Sequence, residues 1–319
     1  MFGCVIFCYE LEGKRIAYFE QYKQLKGLER TSTMSTYQFP RTEAGGISLP
    51  RMIIGSNWIL GYSHTSAAAD TQIKNCFAAK ETVADMLEAY LAYGIDAMMC
   101  PLAGSDILLD GIRLAQERTG KKLIIIDTPI LNVDDSPSAR AEARQTVETS
   151  KRLGATFCMP HHVCAEQLVN KNKRTIDRLP DYLNMVREAG MIPGLSAHMP
   201  ELIVYSDLNG YDVETYIQIY NCMGFLMQVE IEYIHKVIWQ AKKPVMTIKS
   251  MAAGRVSPFV GLTFSYATLR PCDMVTVGCY TREEVAEDVE IAMAAIERRQ
   301  PDLEGRSSPK KSDIMPSDK

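Results

Sequence analysis

Eight short apolar runs, each followed by a longer amphipathic one, set the tightest limit on what this chain can fold into. The runs lie at 52–55, 97–101, 123–127, 156–160, 192–195, 216–219, 245–248 and 274–277. Helical periodicity falls between them at 81–93, 105–119, 138–152, 176–189, 199–209, 226–242, 259–269 and 281–299. The units recur about every 31 residues, and alternation of strand and helix implies parallel strands joined by right-handed crossovers. Eight such units close most simply into a (β/α)8 TIM barrel. An open doubly wound sheet is the competing architecture. Its dinucleotide fingerprint, G-x-G-x-x-G after a first strand, is absent, and so is the phosphate loop G-x-x-x-x-G-K-[ST]. Helix ends support the spacing: Thr281 before Glu283 and Glu284 reads as an N-cap with an acidic first turn. Gly94, Gly120, Gly154 and Gly190 fall where helices should stop, and Val285, Val289, Ala292 and Ile296 form one apolar stripe.

The barrel pattern accounts for residues 46–299 of 319. Residues 1–45 carry no sustained period, run through a Thr/Ser-rich stretch at 31–36, and read as an N-terminal extension, with Met34 a second candidate start. Residues 300–319 are too polar to bury a core and read as a disordered tail. Lys+Arg 35 against Asp+Glu 39 gives a net charge of -4, which excludes the concentrated positive field of a dedicated nucleic-acid binder. No apolar run reaches the roughly 18 residues of a membrane span. The nine cysteines are scattered without a C-x-x-C pair, which removes the zinc-ribbon and dithiol readings and suits a reducing compartment. With no basic region ahead of the apolar opening residues, the expectation is a cytoplasmic protein whose partner is a small molecule. The methionines from Met223 to Met227 read as packing against the barrel.

In such a barrel the active site forms at the carboxyl ends of the strands. Those ends carry Asn57 and Trp58, Asp127, His161 and His162, Ser196 and His198, Tyr220 and Asn221, Lys249, and Gly278. His161, His162, Asp127 and Lys249 are the catalytic candidates; Asn57, Trp58, His198 and Asn221 are the candidates for holding substrate. Each has a plainer alternative. A histidine of the 161–162 pair can simply bond a loop carbonyl, and Asp127 before Thr128-Pro129 can cap a short turn. Lys249 can be a base or imine-forming nucleophile if burial lowers its pKa, a fixed cation for an anionic ligand, or a surface lysine. His198 with His161 and Asp127 would supply two imidazoles and a carboxylate to a metal. These lie on three separate strands with no spacing that enforces the set, and no metal ligand is assigned. Gly278 ahead of a helix start, with Arg282, suits a phosphate cradle.

Several segments resemble the aldo-keto reductases, in particular their shorter bacterial branch. Residues 49–58 (LPRMIIGSNW) look like that family's opening strand and G-T-x-W turn, and 92–96 (AYGID) like its entry to strand two. Gly194-Leu195-Ser196 with His198 resembles the G-x-S-x-H run of strand five, and Gln218 to Asn221 the Q-x-x-Y-N of strand six. Residues 249–254 (KSMAAG) resemble the segment after strand seven, and Asp273 to Glu284 the closing block. The resemblance implies NADP or NAD as cofactor, with Ser196, Gln218 and Tyr220 near the nicotinamide and Gly278 and Arg282 near the adenosine phosphate. It also implies an Asp–Tyr–Lys–His tetrad. At the matching positions stand Met99, Ala103 or Gly104, and Asp127-Thr128, with only His161 or His162 as a counterpart. The expectation is therefore a divergent aldo-keto-reductase-like barrel acting on a small polar metabolite, with NAD(P)H-dependent oxidoreduction as the implied chemistry. The alternatives are a lyase, isomerase or hydrolase using His, Asp, Lys or a metal, and a non-catalytic ligand-binding barrel.

Overall fold

The computed structural model describes residues 38–303. The alternative start at Met34, the Thr/Ser-rich stretch and the tail beyond residue 303 lie outside the described residues. The chain enters through an antiparallel hairpin, β1 (Arg41–Ala44) and β2 (Ile47–Pro50). Its two-residue turn, Gly45-Gly46, holds φ at 57° and 76°, the left-handed pair a tight hairpin demands. This hairpin straddles the position at which the sequence periodicity begins.

Next come β3 (Met52–Gly55), the helices α1 (Asn57–Leu60), α2 (Ala67–Cys76) and α3 (Lys80–Ala92), then β4 (Ala97–Cys100), α4 (Asp106–Thr119), β5 (Ile124–Asp127) and α5 (Pro137–Arg152). After β6 (Phe157–Cys158) a short helix, α6 (His162–Ala165), and a small hairpin, β7 (Val169–Asn170) with β8 (Thr175–Ile176), precede α7 (Leu179–Glu188). The rest is β9 (Ile192–Pro193), β10 (Leu195–Ala197), α8 (Glu201–Asn209), β11 (Tyr216–Ile219), α9 (Ile231–Gln240), β12 (Val245–Ile248), α10 (Pro258–Thr268), β13 (Met274–Val277) and α11 (Arg282–Glu297).

All barrel pairings are parallel, and the sheet runs β10-β11-β12-β13-β3-β4-β5-β6-β9. This is a nearly closed (β/α)8 barrel in which the fifth strand is split. Gly194 separates its halves: β9 pairs back to β6 and β10 pairs forward to β11. A Cβ at 194 would stand 2.7 Å from Met159 Cε and 2.8 Å from the Thr215 carbonyl oxygen, so no larger residue fits the break. Across it the Ser196 N–H reaches the Pro160 carbonyl at 3.4 Å, a stretched rung beside the ordinary bond from Ile192 N–H to Thr156 at 3.0 Å.

Period-two alternation sorts the strand side chains into two cores. Ile53, Met99, Ile126, Phe157, Met159, Ile217, Met246 and Met274 fill the barrel interior together with Ala44 and Leu49 of the entry hairpin. The hairpin therefore plugs the amino-terminal end, where Arg41 bonds Asp96 at 3.0 Å and Thr42 bonds the Cys272 carbonyl at 3.1 Å. The alternate residues, such as Met52, Ile54, Met98, Tyr216 and Val275, pack outward against the helices. At the same end Asp273, fully buried, pairs with Arg270 at 2.7 Å and accepts the Val245 N–H at 2.9 Å.

Three elements differ from the periodicity, each for a local reason. The helix expected from 176 starts at Leu179 because Arg178 sits at φ 59°. That expected from 226 starts at Ile231, since Leu226 is at φ 56°. The fourth strand is only Phe157–Cys158, with Pro160 unable to donate to a ladder. In the methionine-rich stretch, Met227 packs on the core, whereas Met223 is 57% exposed.

Gly194→Ala is expected to cost about 1–3 kcal/mol through overpacking, read as a lowered urea midpoint. Asp273→Ala, which strands Arg270, is expected to cost about 3–5 kcal/mol in the same measurement. An unchanged midpoint in either would contradict the packing described.

Candidate active site at the carboxyl ends of the strands

A cavity of about 1440 Å³ opens where the barrel strands end, bordered by Trp58, His161, His162, Ser196, His198 and Lys249 among others. Ser196 and His198 share the inward parity of β10, opposite to the outward Leu195 and Ala197. Trp58 arrives on α1 and stands edge-on to Tyr280, centroids 4.3 Å apart at 87°. It covers Gly278, where a Cβ would meet its ring at 2.7 Å. Asn57 and Gly278 also border the cavity.

Lys249 follows β12 in a contorted loop. It sits at φ 63°, and Ala252, Ala253 and Gly254 follow at 49°, 55° and 78°. Left-handed backbone at a non-glycine residue costs roughly 1–3 kcal/mol and persists where surroundings impose it. The Lys249 Nζ lies 3.2 Å from His64 Nε2, which is also 3.1 Å from Asn57 Nδ2. Both contacts converge on that one nitrogen, and with Lys249 protonated Nε2 is the acceptor and the proton sits on Nδ1. Burial lowers the His64 pKa, and the Lys249 charge lowers it further. No carboxylate pairs with Lys249 among the described residues, and burial brings its pKa down to about 8.

On the other side of the cavity three imidazoles gather. The rings of His162 and His198 stack at 3.5 Å and 19°, and His161 lies 4.3 Å from His162. Burial first, then the neighbouring His162, lowers His161 to about 4 and His198 to about 3. Both are therefore neutral at physiological pH. Beneath them Glu166 fixes one carboxylate oxygen on the N–H groups of His198 and Met199, at 2.6 and 2.8 Å. Its other oxygen is 3.9 Å from His162 Nδ1. Neither Glu166 nor His64 stands out in the sequence, because both lie in insertions that the strand–helix period does not place. His162 and Glu166 do, however, have the i, i+4 spacing of one helical face.

The remaining sequence candidates are engaged in bonds of the fold itself. Asp127 borders the cavity, but it is 2% exposed and its carboxylate accepts from the Leu102 N–H at 3.0 Å and from Ser150 on α5. Burial raises its pKa against those bonds. It ties strand to helix, so the set His161, His198 and Asp127 does not assemble. Gln218 and Tyr220 share the outward parity of Tyr216. Gln218 donates to the His198 carbonyl at 3.2 Å, and the Tyr220 hydroxyl donates to Thr268 on α10 at 3.0 Å. Asn221 staples its own loop through Met223 N–H, Phe225 N–H and the Phe225 carbonyl. None of these, nor Arg282, borders the cavity. The start of α11 is closed by its own side chains: Thr281 accepts the Glu284 N–H at 3.1 Å, and Glu284 accepts the Tyr280 N–H at 2.7 Å. A carboxylate occupies the helix end that a phosphate would need. Of the five residues the resemblance offers to the dinucleotide, Ser196 and Gly278 border the cavity, whereas Gln218, Tyr220 and Arg282 do not.

Solved structures with the same architecture carry the fold comparison. Two provisionally described as aldo-keto reductases from Pseudomonas aeruginosa match with TM-scores of 0.61 and 0.59, at 15% and 16% identity, each covering 83% of this chain and 99% of the other. The fold is an aldo-keto-reductase-like barrel. An aldo-keto reductase from Klebsiella pneumoniae, described as a complex with NADPH, matches with a TM-score of 0.53 at 14% identity, covering 83% of this chain and 90% of its own. No family model and no curated protein matches the chain. No helix among the described residues is long and apolar enough to cross a membrane.

The environment of Lys249 in this aldo-keto-reductase-like barrel has a direct chemical consequence. An amine-acylating reagent at pH 8 is expected to modify Lys249 ahead of the solvent-exposed lysines, with a rate that rises through about 8. Peptide mapping across a pH series checks this, and a midpoint above 10, the ordinary lysine range, would refute it. The same shift bears on stability. Between about 8 and the unfolded value the unfolded chain binds the extra proton, so Lys249 opposes folding below that window and the penalty fades as pH rises through it.

Proposed function

We propose that the protein is an enzyme acting on a small, polar, carbonyl-bearing metabolite, with the Lys249 amine as the group that engages the carbonyl. The observation that carries this reading is the setting of Lys249: an amine bordering the cavity, on left-handed backbone, beside His64 and without a carboxylate partner among the described residues. An amine with a pKa near 8 is a competent nucleophile at neutral pH. Its attack on a carbonyl carbon forms a C–N bond, and loss of water yields an imine. The positively charged imine draws electrons from the adjacent carbon, which permits C–C cleavage or proton transfer there. The imidazole of His161, which borders the same cavity and is neutral in this site, is the group to take or return that proton. Trp58 and Tyr280 add an aromatic pair to the lining of the same cavity.

The test is reductive trapping. Incubation with a panel of small 2-oxo acids and aldehydes plus cyanoborohydride is expected to leave one stable adduct on Lys249, detected by mass spectrometry. Lys249→Arg keeps the charge and should abolish the adduct. Labelling spread over surface lysines, or equal in the variant, would discard the reading.

A second reading is an oxidoreductase using NADPH. It is favoured by the similarity to the Klebsiella pneumoniae protein described with that cofactor. Ser196 and Gly278 at the cavity would be the residues to hold it, while Gln218, Tyr220 and Arg282 stand away. Saturable quenching or enhancement of NADPH fluorescence at micromolar protein would support this reading. Absence of binding up to millimolar cofactor would remove it.

A further inference from the structure

We infer that His162, Glu166 and His198 form a binding site for one divalent transition-metal ion of the zinc, iron(II) or cobalt(II) class. This goes beyond the carbonyl chemistry assigned to Lys249 and stands without it. Two imidazole nitrogens and a carboxylate oxygen, one from each residue, all lie within 4.8 Å of one another. Two nitrogens and one oxygen are the donor set of borderline ions, not of calcium or magnesium, which require mostly oxygen.

The site has features that a chance cluster lacks. Glu166 is oriented from behind: its first oxygen takes the N–H groups of His198 and Met199, which leaves the second facing His162. The backbone that carries His198 is held as well, because Gln218, fully buried, donates to its carbonyl at 3.2 Å. Such backing of ligands by a second layer of hydrogen bonds is how metal sites fix their geometry. The two histidines border the cavity, so the cluster can be reached from it.

The test uses the full-length protein, stripped with a chelator and titrated with cobalt(II). The expected result is one equivalent bound, with visible d–d bands of a low-symmetry nitrogen/oxygen site and no thiolate charge-transfer band. Displacement by zinc should erase the bands stoichiometrically. His198→Ala and Glu166→Gln are each expected to weaken binding by about 100-fold. If His198→Ala does not fold by circular dichroism, His162→Asn takes its place. Absence of cobalt bands and of retained metal would overturn the inference. So would binding that persists in the variants, or a thiolate band pointing to the exposed Cys76. Trapping at Lys249 needs no metal, so the two readings fail separately.

Discussion

The barrel depends on a close approach of backbone at Gly194. The fifth strand must serve two neighbours that curve away from each other, and it does so by breaking into halves. Only a residue without a side chain leaves room for the Met159 terminus and the Thr215 carbonyl at the break. With the ring closed there, period-two alternation divides every strand between an interior core and a helix-facing one. Placement of Ser196 and His198 toward the cavity, and of Gln218 and Tyr220 away from it, follows from that single register.

The cavity concentrates basic side chains where water is scarce. Burial disfavours a charged imidazole or ammonium group, and the Lys249 charge lowers His64, His161 and His198 further. The result is a site rich in lone pairs at neutral pH. Lone pairs are what nucleophilic and proton-abstracting chemistry uses, and they are also what a metal ion accepts. The acidic groups nearby are tied elsewhere: Asp127 to Leu102 and Ser150, and one Glu166 oxygen to backbone N–H groups.

The barrel was legible in the sequence because strand and helix periodicities recur as repeated units, and those periods depend only on local alternation of apolar residues. The resemblance to the aldo-keto reductases agrees with the fold that the solved structures share. Strand ends located Lys249, His161, His162 and His198 on the cavity. Facing was harder to read, because the last strand residue points inward or outward by one position, and for Asp127, Gln218 and Tyr220 it points outward. Asn221 and Arg282 are displaced by local loop and capping bonds. His64 and Glu166 carry no sequence signal, since neither belongs to the repeating unit. His64 lies between α1 and α2, and Glu166 continues the turn begun by α6.

The break in the fifth strand has a mechanical meaning for the site. His162 follows β6, which is bonded to β9 on one bank of the break, whereas His198 follows β10 on the other. The separation of the two rings is therefore measured across the seam of the barrel, bridged there by the 3.4 Å contact from Ser196 to Pro160. Curvature of the sheet works like the opening of a caliper, with two imidazoles as its jaws. Residues that never touch a ligand, in the floor beneath Gly194, thereby set the bite of the site.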